Sequence, residues 1–112
     1  MQRGIVLVFS APATPEREDE FNQWYDDVHL KEVLQVDGFV GGRRYKLDAD
    51  QPRPPKAGTQ LAEQPYVAVY DVEAEQVSDA AAALAAALPT MQMSSAISLD
   101  PRPTTIYYRL MD

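Results

Sequence analysis

Ile5-Val6-Leu7-Val8-Phe9 is a continuous apolar run, and every residue in it except Leu7 is β-branched or aromatic. Such a run reads as a strand. A strand with one face in water alternates apolar and polar residues, and this one does not. Tyr66-Val67-Ala68-Val69-Tyr70 repeats the pattern, apolar or aromatic on both parities. Something is therefore expected to cover each face of the sheet that holds these strands. Helices account for one face. A second copy of the chain, packed sheet against sheet about a two-fold axis, is the economical cover for the other. The alternative is that irregular segments fold back over it.

Working outward, nine prolines at 12, 15, 52, 54, 55, 65, 89, 101 and 103 punctuate the chain. Proline lacks a donor and interrupts helix and strand interiors, so the stretches between prolines are the candidate elements. After the first strand, Phe21, Trp24, Tyr25 and Val28 recur at helical spacing, with acidic residues at 16, 18, 19 and 20 crowding the first turns. A helix is predicted from about Glu16 to Leu34, with a kink near Leu30-Lys31 where the apolar phase drifts. Phe39 to Leu47 reads as a second strand whose Gly41-Gly42 pair permits a bulge or a close backbone approach. Residues 48–65 read as a long polar connection. Tyr66 to Val72 is a third strand. A helix starting at or just before Ser78 follows, with Val77, Ala81, Leu84 and Leu88 on one face and Pro89 ending it. Thr90 to Pro103 is irregular, and Thr104 to Met111 is the last strand. The order is strand, helix, strand, strand, helix, strand. That is the α+β, ferredoxin-like βαββαβ arrangement, with two helices on one face of a four-stranded antiparallel sheet. A single domain over residues 1–112 is expected.

Composition narrows the function classes. Ten Lys and Arg stand against 17 Asp and Glu, a formal net charge of −7. Phosphate backbones and anionic membranes attract the opposite balance, so neither nucleic acid nor membrane is expected as a partner. There is no cysteine and one histidine, His29. Disulfides, thiolate chemistry and any multi-histidine metal site within one chain are excluded. The first apolar run is too short for a signal-peptide core or a membrane span, and a cytoplasmic protein is expected. No Gly-rich phosphate loop and no nucleophile elbow is present.

The segment Phe21-Asn22-Gln23-Trp24-Tyr25-Asp26-Asp27-Val28-His29-Leu30-Lys31-Glu32-Val33-Leu34, followed by Gly38-Phe39-Val40 and Arg43-Arg44-Tyr45, resembles the dimeric α/β-barrel superfamily, and within it the EthD-like proteins. The shared features are a helix reading W-Y-x-x-x-H, a short stop, and G-F before a strand with R-R-Y. The resemblance implies a dimeric α/β barrel. It also implies that His29 lines a ligand cleft, and the superfamily includes cofactor-free monooxygenases, lactone isomerases and polyketide cyclases.

The residues themselves support part of this. On an α-helix Asp26, His29 and Tyr25 approach one another, and a carboxylate beside an imidazole fixes its tautomer and raises its basicity. His29 is thus a candidate general base with Asp26 orienting it and Tyr25 beside it. The competing reading is a histidine that stabilises a helix end through a backbone carbonyl. Trp24, Tyr66 and Tyr70 are candidate substrate-binding residues, although each equally suits a core. Arg43 and Arg44 point to opposite faces of their strand, and Arg44 is a candidate to bind a carboxylate or phenolate. Glu32, three residues after His29, gives an H-x-x-E pattern without the further ligands of a metal site. The expected protein is a homodimer that binds an apolar, aromatic or polyketide-like molecule. Its chemistry would be a cofactor-independent isomerase, cyclase, dehydratase or related lyase step. A non-catalytic ligand-binding or stress-response module and a cofactor-free monooxygenase are the alternatives.

Overall fold

The computed structural model describes residues 1–111. Strands β1 (Gln2–Ser10), β2 (Phe39–Lys46), β3 (Tyr66–Ala74) and β4 (Thr104–Arg109) form one sheet in the order β2-β3-β1-β4. Every neighbouring pair is antiparallel. Helices α1 (Glu18–Trp24), α2 (Leu30–Val33), α3 (Gln60–Glu63) and α4 (Val77–Ala87) complete the α+β architecture, which is compatible with a ferredoxin-like fold. None of the helices among the described residues is long and apolar enough to cross a membrane.

Strand pairing sorts the side chains by parity. Val6 pairs with Tyr70 and Val8 with Ala68, and Tyr66, Ala68, Tyr70 and Val72 are all buried beneath the helices. The core on this face gathers Val6, Phe21, Tyr25, Val33, Phe39, Val72, Leu84 and Ile97. The opposite parity carries Ile5, Leu7, Phe9, Val67, Val69, Ile106 and Tyr108, none of which belongs to that core. The irregular stretch after α4 does not cover this second face. It packs on the helix side, where Ala96 and Ile97 are buried and Ile97 bridges to Pro12. The 48–65 connection borders the open face at the Phe9 and Val67 end, through Asp48, Leu61, Gln64 and Pro65.

The first helical stretch departs from the expected single helix in an informative way. A short 3-10 turn (Pro15–Arg17) leads into α1, then a π-helical turn spans Tyr25–His29 before α2. Phe21, Tyr25, His29 and Val33 are all buried, a strict spacing of four. On a regular α-helix that spacing outruns the 3.6-residue turn by about 40° per step. The wider π turn absorbs the excess and keeps all four on one face. The phase drift read from the sequence at Leu30-Lys31 therefore has its cause one turn earlier.

Glycine fixes two junctions. Gly38, at φ 94°, occupies the left-handed region as the chain turns from α2 into β2. The ladder shifts register between Phe39 and Gly41, which leaves Val40 as the bulged, exposed residue. Gly42 lies opposite Tyr70, and a Cβ there would come within 2.9 Å of the Tyr70 ring. The missing side chain makes room for that ring. At the far end, α4 starts in a capping box between Gln76 and Asp79. It ends at Ala87, ahead of a 3-10 turn (Leu88–Thr90) that accommodates Pro89.

Candidate functional site

Two polar groups inside the covered face have no hydrogen-bond partner: the Tyr70 hydroxyl and His29 Nδ1. Tyr70 is 1% exposed and His29 8%. Buried polar atoms are nearly always paired, so two orphans together call for an explanation. Both residues line one cavity of about 380 Å³. The sheet contributes Val8, Tyr70 and Thr105 to its wall, and the first helical stretch contributes Tyr25, His29 and Val33. Leu84 of α4 and the segment from Leu88 to Pro103 close it. The irregular segment is held in place by backbone bonds across the N-terminal loop, Ala13 N–H to the Ala96 carbonyl and Ser98 N–H to the Ala11 carbonyl. A small-molecule site combines an apolar wall with a few convergent polar groups, and this cavity has that composition.

The π turn positions the two helical members. Tyr25 and His29 meet edge to face with ring centroids 5.1 Å apart, and Trp24 stacks behind the imidazole at 4.8 Å. Burial pushes the His29 imidazole below its ordinary value, against a smaller opposing pull from Glu32, while Arg44 adds to the lowering. A neutral imidazole with an unpaired ring nitrogen can accept a proton. Burial raises the phenols of Tyr25 and Tyr70, and the two hydroxyls also act on each other, lowering Tyr25 and raising Tyr70, although they do not meet in hydrogen-bonding geometry. They stay protonated near neutral pH and are donors in a low-dielectric pocket.

Other residues singled out in the sequence lie elsewhere. Asp26 does not orient His29: its side chain is 58% exposed and accepts a bond of 3.0 Å from Arg44 Nη1. The i, i+3 approach assumed an α-helix, and the π turn spans both residues. Arg44 faces the helices, as one of the two arginines had to, but it does not line the cavity. Its side chain is 10% exposed, also donates to Asn22 Oδ1 at 3.0 Å, and lies 4.2 Å over the Tyr25 ring. Arg43 is on the open face, bonded to Asp71 and Tyr45. Trp24 donates to the Gln92 carbonyl and forms the wall behind His29 rather than the cavity surface. Tyr66 is buried away from the cavity, donating to Glu18 and accepting from Asn22. The His29 imidazole makes no hydrogen bond to a backbone carbonyl among the described residues, which goes against the carbonyl-capping histidine of the competing reading. Glu32 accepts the Gln92 N–H through both oxygens, and no group of three potential metal-ligating side chains occurs among the described residues.

The structure adds Arg102, Thr105 and a rim of exposed Leu88, Met93 and Leu99. Arg102, Met93 and Leu99 belong to a proline-broken stretch without periodicity, and no sequence signal marked them, whereas Leu88, expected on the apolar face of the second helix, is exposed at the rim. A larger cleft of about 720 Å³ lies at one end of the open sheet face, lined by Ile5, Val40, Tyr108, Leu110 and Met111 among others. It holds no orphaned buried polar group, so chemistry favours the smaller cavity. Comparison with protein-family models, curated proteins and solved structures finds no match to this chain.

Proposed function

We propose that the chain is an EthD-like member of the dimeric α/β-barrel superfamily, binding an apolar, aromatic or polyketide-like molecule and moving a proton on it without a cofactor. The observation that carries this reading is the pair of unpartnered buried groups, Tyr70 hydroxyl and His29 Nδ1, on two residues that line one apolar cavity. A ligand carbonyl would accept from a phenol, and a proton on the carbon beside it would pass to the His29 imidazole. The electron pair released from that C–H bond moves onto the carbonyl oxygen, where Tyr70 and Tyr25 stabilise the enolate. The imidazolium then returns its proton to a different atom, which completes an isomerisation or the first step of a cyclisation or elimination.

The test is deuterium incorporation from D2O next to the carbonyl of a panel of aryl ketones and 1,3-diketones. Exchange catalysed by the wild type and lost in His29→Gln, with the fold retained, is expected. Ligand binding without any His29-dependent exchange would replace the enzyme with a non-catalytic binding module.

The open sheet face supports the homodimer part of the reading. Ile5, Leu7, Phe9, Val67, Val69, Ile106 and Tyr108 form an apolar surface that nothing in the chain's core covers. A two-fold partner presenting the same surface is self-complementary. Light scattering at micromolar concentration should give twice the chain mass, and Leu7→Glu should halve it. A wild-type monomer defeats the dimer.

A further inference from the structure

Arg102 lies on the cavity wall, and nothing in the proton-transfer reading uses it. Its backbone is held unusually firmly for an irregular segment. Pro101 and Pro103 flank it and fix φ on either side. Its carbonyl accepts from Gln64 Nε2 at 2.6 Å, and Gln64 is itself 3% exposed. Gln64 Oε1 in turn accepts from Thr104 Oγ1 at 2.9 Å, so a buried amide clamps the chain on both sides of Pro103. The clamped backbone fixes where this exposed side chain leaves the chain, at the cavity wall.

The guanidinium that this backbone carries has no ion-pair partner among the described residues. Arg3, Arg17, Arg43 and Arg44 each have one; Arg53 and Arg109 also lack one among the described residues, but of the three only Arg102 lines the cavity. With a net charge of −7 the chain as a whole repels anions. A local cation at the cavity is therefore what an anionic ligand would need.

We infer that the cavity takes an apolar or aromatic carboxylate, with Arg102 binding the carboxylate at one end and the Tyr25, Tyr70 and His29 group meeting the other. This rests on the cavity being the ligand site, as proposed above, and names the class of its ligand. A guanidinium matches a carboxylate through two parallel N–H bonds, which fixes the orientation as well as the affinity of an otherwise apolar molecule.

The chain's single histidine gives a site-specific readout, because its imidazole resonances in an NMR spectrum report only His29. The probes are 1-naphthoate and its neutral counterpart 1-naphthamide, titrated at pH 7 and low salt. In the wild type, naphthoate is expected to move the His29 resonance with an affinity about tenfold higher than naphthamide. Arg102→Gln should abolish that preference and leave naphthamide unaffected, Arg102→Lys should keep part of it, and Arg53→Gln, an unpaired arginine that does not line the cavity, should change nothing. Equal affinities in the wild type, or a preference that survives Arg102→Gln, overturns the role of Arg102 and leaves the cavity standing. If neither probe moves the His29 resonance, the cavity itself fails as the ligand site, and the carboxylate assignment fails with it.

Discussion

Tyr66 and Tyr70 stand four residues apart on the same face of β3, both buried, both touching the first helical stretch. Around Tyr66 every polar group has a partner: its hydroxyl donates to Glu18 and accepts from Asn22, Glu18 also holds Lys46, and Asn22 holds Arg44, which reaches Asp26. Around Tyr70 the hydroxyl has none, and neither has the Nδ1 of His29. The same residue type on the same surface thus does two jobs. A satisfied network closes one end of the helix–sheet seam, and an unsatisfied one leaves the other end open for a ligand. Removing a group that completes a network strands its partners, whereas removing an orphan strands nothing.

Arg44→Met breaks the satisfied end most severely. It removes both bonds to the helix and the guanidinium lying over Tyr25, Phe21 and Tyr66, and leaves Asp26 and Asn22 facing a thioether. A loss of about 2–3 kcal/mol in urea unfolding is expected. Tyr66→Phe is milder, about 1–2 kcal/mol, because water can reach the stranded Glu18. Tyr70→Phe should lie within about 0.5 kcal/mol of the wild type, or be more stable, since an unpaired buried hydroxyl is a cost to folding. If Tyr66→Phe and Tyr70→Phe cost the same, the contrast between the two ends is wrong.

The smallest effect is in pH. His29 is held below its ordinary value by burial, so the unfolded chain binds a proton that the folded chain does not. Stability therefore falls as pH drops below about 6.5, and the loss is complete once pH is below the folded-state value. Glu18 is held low by its bonds from Tyr66 and Lys46, so its contribution is present above the ordinary carboxylate range and lost as pH falls through its own lowered value. Unfolding free energy followed against pH should lose the upper component in His29→Gln and show a smaller lower one in Tyr66→Phe, where Lys46 still holds Glu18. A single variant that flattens both would show the two ends to be coupled.

Proline spacing and apolar periodicity were enough to read the four strands and their order along the chain, because both record local constraints on the backbone, but not the short α3 inside the 48–65 connection or the break in the first helix. Tyr25, His29 and Tyr70 were legible as candidates for the same reason: chemically distinctive residues at a helical or strand period. The separation of Tyr70 from Tyr66 was not, since parity gives both the same face and only the helix above decides what each hydroxyl meets. Asp26 was misjudged because an i, i+3 argument presumes α-helical turns. Arg102 left no trace at all, for a residue between two prolines has no period to belong to, and its place depends on a glutamine 38 positions earlier in the chain.

The π turn has one more consequence. It amounts to one surplus residue in an otherwise α-helical stretch, and removing a residue between Tyr25 and His29 would let the helix recover its regular bonding. The same deletion would rotate Phe21 and Tyr25 by about 100° relative to His29 and Val33. A shorter chain would thus make a better helix and have no cavity wall. The irregularity keeps the two halves of the site in phase, much as a leap day keeps a calendar aligned with the seasons.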